Sequence, residues 1–347
     1  MNAITTSIAD ETADDSAWDE FVANNPNGTL YHTRAWQRIA AVAFGHEIYP
    51  ICARDEQDRI CGILPLVRIK SRIFGHFMVS LPYVNYCGAL ATDTETEVLL
   101  MNQACDLGRS LGVSHIEFRD RQLRDKNWAV RTNKVEMIAD LAIDEDAQWK
   151  ALTSKVRAQV RRPGREGAYT RIGRHELLDS FYSVFSHNMR DLGTPVYSRD
   201  LFDWMLRELG EQAEIVVVYL NEKPAASGIL LHHGNTTEIP SASSLRQFNR
   251  FGVNMLLYWE CMKRAIERGS CRFDFGRSSV DSGTFHFKKQ WGAKPSQLYW
   301  HYWLKDGQAL PSLNPNNPKY SLAISTWQRL PLWIANRLGP SVSRRLP

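Results

Sequence analysis

The sequence predicts an α/β protein made of two copies of one layered fold, each a mixed sheet with flanking helices. Two observations carry this. Apolar residues switch between helical and strand spacing along the chain. Similar segments also recur in the same order at nearly constant offsets.

The elements can be taken in chain order. Tyr31-His32-Thr33-Arg34-Ala35-Trp36 opens an amphipathic helix, and Tyr197-Ser198-Arg199-Asp200-Leu201-Phe202 opens another 166 residues later. A strand–turn–strand follows each. The first is EIYPICARDEQDRICGILPLVRI, turning near Asp55–Asp58, and the second is EIVVVYLNEKPAASGILLHH, turning at Asn221–Pro224. Gly62-Ile63-Leu64 and Gly228-Ile229-Leu230 again stand 166 residues apart. Met101, Cys105, Gly108 and Leu111 fall near helical spacing, as do Met255, Trp259, Met262 and Ile266. Gly112 and Gly269 supply left-handed stops. The strands SHIEFRD and CRFDFGR close the copies, with Glu117 and Asp274 only 157 residues apart. The drift implies a shorter segment before the last helix of the second copy. Short apolar strings also recur by chance, but constant order and two equal offsets favour duplication. The domains expected are 15–150, 151–305 and a tail, 306–347.

With 44% hydrophobic and 23% charged residues in 347, the chain has material for two ordinary cores. No run approaches the length of a membrane span. The polar, acidic N-terminus lacks the features of a secretory signal, and its first dozen residues read as a loose tail. The six cysteines form no CxxC and no zinc-finger spacing, so free, mostly buried thiols, a cytoplasmic location and no metal are expected. A net charge of +4 is too small to argue for duplex nucleic acid by itself. The G-x-S-x-G, Walker A and G-x-G-x-x-G patterns are absent, which argues against that type of serine hydrolase, P-loop NTPases and dinucleotide dehydrogenases.

Three constellations carry candidate chemistry. The densest is FDFGRSSVDSGTFHFKKQWG, residues 273–292, where a strand end opens into a polar loop. Asp274 either orients a nucleophilic amine, holds Arg277 or takes the acceptor's proton as a base, or it caps the Gly276 turn. Lys288, beside Phe287, suits polarising a carbonyl or holding a phosphate, whereas Lys289 reads as a solvated charge. His286 is a general base or a structural histidine. The second is the basic run from Lys155 to Arg174. Arg157 and Arg161 share a helix face that Pro163 is expected to end, and with Arg162 they suit a phosphate. An exposed basic helix or linker is the other reading. The third is Asn249-Arg250-Phe251-Gly252-Val253-Asn254. Gly252 and Asn254 there enter a helix whose N–H groups suit a pyrophosphate, or Asn254 simply caps it.

In the tail, residues 305–319 read as a Pro/Asn-rich loop. Tyr320, Ile324, Trp327, Leu330, Trp333, Ile334 and Leu338 then make one apolar face broken by Pro331. Either the face packs on the body, or residues 320–347 lie peripherally on a membrane as a basic amphipathic segment.

Taken together, the NEKPAASGILLHH hairpin, the FNRFGVNMLLYWECMKRAIERG helix and the FDFGR…FHFKKQWGAKP block resemble the FemAB-like, BioF2-type group of GNAT acyltransferases. The TLYHTRAWQRIAAVAFGHEIYPICA and KVRAQVRRPGREGAYTRI segments fit the same pattern. Similarity extends over roughly residues 18–305, and the W–LPLW–LGP–RRLP tail resembles the exosortase-associated, exopolysaccharide-linked subgroup. The resemblance implies tandem GNAT domains and transfer of an acyl or aminoacyl group. The donor would be acyl-CoA or aminoacyl-tRNA. The acceptor would be an amine or hydroxyl of a polysaccharide or lipid-linked envelope precursor. Phe287-Lys288 matches the family's FK motif, whose lysine is implicated in handling the acyl donor. Asn249 and Asn254 depart from the Gln/Arg-x-x-Gly-x-Gly/Ala loop. No helical-hairpin insertion for engaging tRNA is seen. Other functions in view are an acyl-CoA-dependent N-acyltransferase acting on a lipid or small amine, and a non-catalytic GNAT pair that binds a partner.

Overall fold

The structure, a computed structural model, describes residues 4–9, 15–71, 75–124, 128–311 and 318–345, side chains of 318–320 excepted. Residues 1–3 and 10–14 of the expected tail, residues 312–317 of the Pro/Asn-rich loop and the Tyr320 side chain lie outside the described residues. Contacts divide the chain into two units. Unit 1 is Met1–Val135 with Ser296–Ser312 and Arg345–Pro347; unit 2 is Glu136–Pro295 with Leu313–Arg344.

Unit 1 begins with β1 (Thr5–Ile8), α1 (Asp15–Asn24) and α2 (Arg34–Phe44), then β2 (Glu47–Arg54), β3 (Ile60–Ser71), β4 (Gly75–Val79), β5 (Leu90–Ala91), α3 (Thr94–Ser110), β6 (His115–Asp120) and β7 (Ala129–Arg131). The chain continues through β8 (Lys134–Asp140), α4 (Glu145–Ala151), α5 (Ser154–Arg165), β9 (Tyr169–Gly173), α6 (Leu178–Leu192), α7 (Arg199–Glu208), β10 (Ala213–Leu220), β11 (Lys223–His233), β12 (Thr236–Ser244), α8 (Val253–Glu267), β13 (Arg272–Ser279), α9 (Gly283–Lys289) and β14 (Lys294–Gln297). Last come β15 (Tyr299–Leu304), α10 (Pro318–Gln328) and α11 (Leu332–Ser343). Among the described residues, one sheet runs β1-β2-β3-β4-β6-β15-β7, with β5 beside β3, and the other runs β14-β8-β13-β12-β11-β10-β9.

The duplication is visible in the topology. In unit 1 the β2–β3 hairpin is followed by β4, α3 and a strand, β6, that pairs parallel to β4 through Met78↔Ile116 and Val79↔Glu117. In unit 2 the β10–β11 hairpin is followed by β12, α8 and β13, again parallel to β12. Residues 80–93 precede α3, whereas only 245–252 precede α8, and α3 itself is longer than α8, which together account for most of the drift in offset. Gly112 and Gly269 take φ of 66° and 79°, as left-handed stops require.

Alternation along β2 and β3 feeds two cores. Ile51, Ala53, Leu64 and Leu66 face Leu100, Met101, Ala104 and Cys105 of α3. Cys52 and Ile63 face Trp18 and Val22 of α1. In unit 2, Ile215, Val216, Val217 and Val218 of β10 are all fully buried, as in a strand covered on both faces.

Two expectations change. Thr5–Ile8 is not loose, because it pairs antiparallel with Ile51–Arg54 of β2. Pro163 does not end its helix, which runs on to Arg165. The strand pairing also ignores sequence order: β15 completes the first sheet beside β6, and β8 joins the second sheet. Of the thiols, Cys52, Cys87, Cys105 and Cys261 are buried, Cys61 is partly covered and Cys271 is exposed.

Candidate functional site

The parallel ladder between β12 and β13 is short. It pairs Thr236↔Arg272, Thr237↔Phe273 and Glu238↔Asp274, then stops. β12 runs on to Ser244 and β13 to Ser279 without pairing to each other. Two central strands that part in this way leave backbone groups available to a ligand.

Where the ladder ends, buried charges gather. Asp274 is fully buried, and its Oδ1 accepts a hydrogen bond of 2.7 Å from the Gly276 N–H. Gly276 takes φ of 71°, a conformation open to glycine, which explains the Asp-Phe-Gly order. Lys288, on α9, is 8% exposed and donates to the carbonyls of Gly276 at 3.0 Å and Arg277 at 2.9 Å. Burial pulls its pKa down to about 8, against the charges of Asp274 and Glu238, which push it up. An ammonium has three N–H donors, of which these bonds use two.

A second feature forms where α5 meets the start of α8. Pro163 has no N–H, so the Gln159 carbonyl four residues earlier is left without its helical partner. Gly252 approaches this carbonyl. A Cβ built on it would lie 3.3 Å from the Gln159 oxygen, and its φ of 79° also favours glycine. The result is a pocket of about 240 Å³ lined by Gln159, Arg162, Asn249, Gly252, Asn254, Met255, Phe287 and Gln290. The 3-10 turn Arg246–Phe251 leads into it, and the Ser244 hydroxyl at the end of β12 donates to Asn249 Oδ1 at 3.0 Å. At the start of the 15-residue α8 the Met255 and Leu256 N–H groups donate to the Gly252 carbonyl at 2.9 and 3.4 Å, and the helix dipole, with the Val253 and Asn254 N–H groups at its tip, favours an anion there. Gln159 Oε1 is buried and has no hydrogen-bond partner among the described residues.

The structure thus joins parts of all three constellations: Phe287 from the first, Arg162 from the second, Gly252 and Asn254 from the third. Other expected residues go elsewhere. Arg157 is a correction. Its Nη1 donates to the carbonyls of Leu152 (2.6 Å), Lys150 (3.2 Å) and Trp149 (3.4 Å), which caps the end of α4. Arg161 lies over the Trp149 ring at 5.0 Å. Asp274 is a correction as a base, because full burial keeps it from an acceptor and it serves as the cap of Gly276. His286 is exposed and edge-on to Phe285. Two positions from Lys288 on a helix, it points about 200° away. The Arg277 side chain is exposed, and its carbonyl accepts from Lys288.

Several site residues escaped the sequence. Gln159 stands three residues before Arg162, a spacing that marks a shared helix face. Glu238 becomes visible only through its pairing with Asp274. Tyr258, Phe287 and Trp291 form an aromatic wall, with Tyr258 to Phe287 centroids 5.0 Å apart. Unit 1 has a pocket of its own, about 210 Å³, beside Gly88, Asp120 and Arg124. There the fully buried His301 Nδ1 meets Asp120 Oδ2 at 2.9 Å, and its Nε2 accepts from the Arg124 N–H at 3.1 Å, which locks the ring in place. Among the described residues no group of three or more His, Cys, Asp or Glu is placed to hold a metal ion.

Residues 151–289 match the acetyltransferase (GNAT) domain family. A search of curated proteins by sequence finds no match. Several solved structures share the fold. FemX is 15% identical with a TM-score of 0.63, over 85% of this chain and 96% of that one. The C-terminal domain of a putative lysylphosphatidylglycerol synthetase from Agrobacterium fabrum is 13% identical with a TM-score of 0.56, over 89% and 94%. A tandem GNAT protein from the clavulanic acid biosynthesis pathway is 10% identical with a TM-score of 0.52, over 89% and 100%. The chain is a mixed α/β protein with the tandem GNAT fold, and its residues 151–289 match the GNAT acetyltransferase domain family.

Proposed function

We propose that this chain is a FemAB-like acyltransferase. Its second unit binds an activated acyl donor that carries phosphate, acyl-CoA or aminoacyl-tRNA. The acyl group passes to an amine or hydroxyl of an envelope or exopolysaccharide precursor. The observation that carries this reading is the pocket at the N-terminus of α8, with Gly252, Asn254 and Arg162 in its wall. Helix N–H groups and an arginine suit a donor phosphate. The parted strands β12 and β13 suit the acyl arm.

The chain's own groups have separable roles. Attack of the acceptor nitrogen or oxygen on the donor carbonyl forms the new C–N or C–O bond and an oxyanion. Its collapse expels the donor's thiolate or ribose oxygen, which takes up the acceptor's proton through solvent. Lys288 acts through the backbone as a positioning residue. By donating to the Gly276 and Arg277 carbonyls it polarises two peptide groups and strengthens the N–H groups of Arg277 and Ser278 as donors. Asp274 holds the Gly276 turn that aims those groups. His286 receives no proton-transfer role on this geometry. The fold shared with a putative lysylphosphatidylglycerol synthetase supports aminoacyl transfer as one form of the reaction.

Thermal shift with acetyl-CoA, a long-chain acyl-CoA and aminoacyl-tRNA tests the reading and separates the donors. At about 100 times its dissociation constant, the true donor stabilises the chain by about 2.7 kcal/mol. No shift with any of the three would overturn the reading.

A further inference from the structure

The last two helices present their faces the wrong way round for a helix that meets only water. α11 sits on unit 2 by its small residues. Ala335 and Ser343 are 1% and 2% exposed. Gly339 lies so close to Val196 that an added Cβ would come within 2.7 Å of its Cγ1 and 2.9 Å of its backbone nitrogen. Three of its large apolar residues point outward, Trp333 at 68% exposed, Leu338 at 48% and Val342 at 36%, while Leu332 and Ile334 are partly covered. On α10, Leu322 is 69% exposed. An ordinary surface helix buries its large apolar side and shows small or polar residues to solvent. Here the order is reversed, although both helices are held in place. Gln328 Nε2 donates to the Asp191 carbonyl at 3.2 Å, and Asn336 Nδ2 to Ser186 Oγ at 3.5 Å.

The charge around this face is one-sided. Residues 321–344 contain Arg329, Arg337 and Arg344 and no aspartate or glutamate. Arg337 is exposed and adjoins Leu338. The neighbouring acid on α6, Asp191, is paired with Arg190 at 2.8 Å and meets Arg246 at 4.0 Å. A protein partner burying Trp333 and Leu338 would have to match isolated apolar side chains set among arginines. An anionic bilayer surface does so without shape complementarity: the indole and leucine enter the interface and the guanidinium groups meet lipid phosphates. No described helix is long and apolar enough to cross a membrane, so the contact is one of lying on the surface.

We propose that the outward face of α11, centred on Trp333, Arg337 and Leu338, docks the protein on an anionic lipid surface. This stands on the helix faces and their charge, and it holds whichever acyl donor the second unit takes.

Flotation of the full chain with vesicles tests it, using phosphatidylcholine alone or an equal mixture with phosphatidylglycerol. Binding is expected to the mixed vesicles, weakening as salt is raised. The double variant Trp333→Ala/Leu338→Ser should bind at least tenfold less. Both side chains are exposed, so its melting should match the parent. If it nonetheless folds poorly, Arg337→Glu serves instead, and should weaken binding to the anionic vesicles alone. Failure of the parent chain to bind anionic vesicles would overturn the proposal, as would equal binding by the variants. So would self-association of the parent that the double variant abolishes, since the face would then join two copies.

Discussion

Glu238 of β12 and Asp274 of β13 stand opposite one another as the last pair of a parallel ladder, and Lys288 is the cation whose charge answers both. Two buried carboxyl groups and one buried amine thus mark the point where the strands part. Asp274 Oδ1 fixes Gly276, and Lys288 grips the carbonyl of that same glycine. The arrangement makes the lysine part of the β13 backbone rather than a side chain reaching into the pocket.

Replacement of Lys288 by Met should therefore slow transfer more than it weakens donor binding. Loss of polarised N–H donors costs about 10²–10³-fold in kcat where such groups stabilise an oxyanion. A KM change much larger than the kcat change would contradict the role given to Lys288.

The same lysine predicts a pH dependence of stability. Burial lowers its pKa to about 8, while an unfolded lysine holds its proton to about 10.4. Between these values the unfolded chain binds more protons, so stability rises with pH. From about pH 7 to about pH 10 the parent should gain about 2–3 kcal/mol relative to Lys288→Met. Urea unfolding at the two pH values measures the difference, and parallel curves would count against a buried amine.

Acid should act through Glu214. Burial raises its carboxyl, but hydrogen bonds from Arg264 at 2.5 Å and from His232 at 3.0 Å outweigh this and hold it down at about 2. The stabilisation is present above about pH 4.5 and fades as pH falls towards 2, by about 3 kcal/mol in all. Glu214→Gln should be less stable at neutral pH and lose less on acidification than the parent. These bonds tie β10 to α8, so the loss should appear in the melting of unit 2.

In unit 1 the close approach of α3 to β3 rests on Gly62. A Cβ there would lie 2.7 Å from Thr96 Cγ2 and 2.9 Å from Leu100 Cδ1. Gly62→Ala should cost about 1–3 kcal/mol by overpacking. Adding Thr96→Ser removes the nearer methyl and keeps the hydroxyl that bonds Asp93, so it should restore part of that loss. A double variant no more stable than Gly62→Ala would point to Leu100 as the obstacle instead.

Much of the fold was legible because both copies repeat local signals: a capped hairpin, a helix closed by glycine, and an apolar strand. Gly112 and Gly269 could be recognised since only their own conformation was at stake. Pairings between distant segments could not. Nothing local in YWHYWL tells that β15 joins β6, or in KVEMIAD that β8 belongs to the second sheet. The candidate site was legible residue by residue but not as a group. Arg162 and Arg157 look alike in sequence, yet five positions of helix turn one towards the pocket and the other onto the end of α4. Pro163 misled in a similar way. The missing N–H that argued for a helix end leaves the Gln159 carbonyl free where Gly252 approaches.

Arg161 and Arg162 offer the most direct test of the pocket as the donor site. They are sequence neighbours of equal charge, but Arg162 lines the pocket while Arg161 lies over Trp149. Calorimetric titration of the donor found by thermal shift should be repeated with Arg162→Gln and with Arg161→Gln. The account predicts a loss of affinity of about tenfold or more for Arg162→Gln, in line with about 1.5–3 kcal/mol for a hydrogen bond to a charged group, and little change for Arg161→Gln. Equal losses in both would reduce the effect to general charge. No loss in Arg162→Gln would place the donor elsewhere and contradict the account.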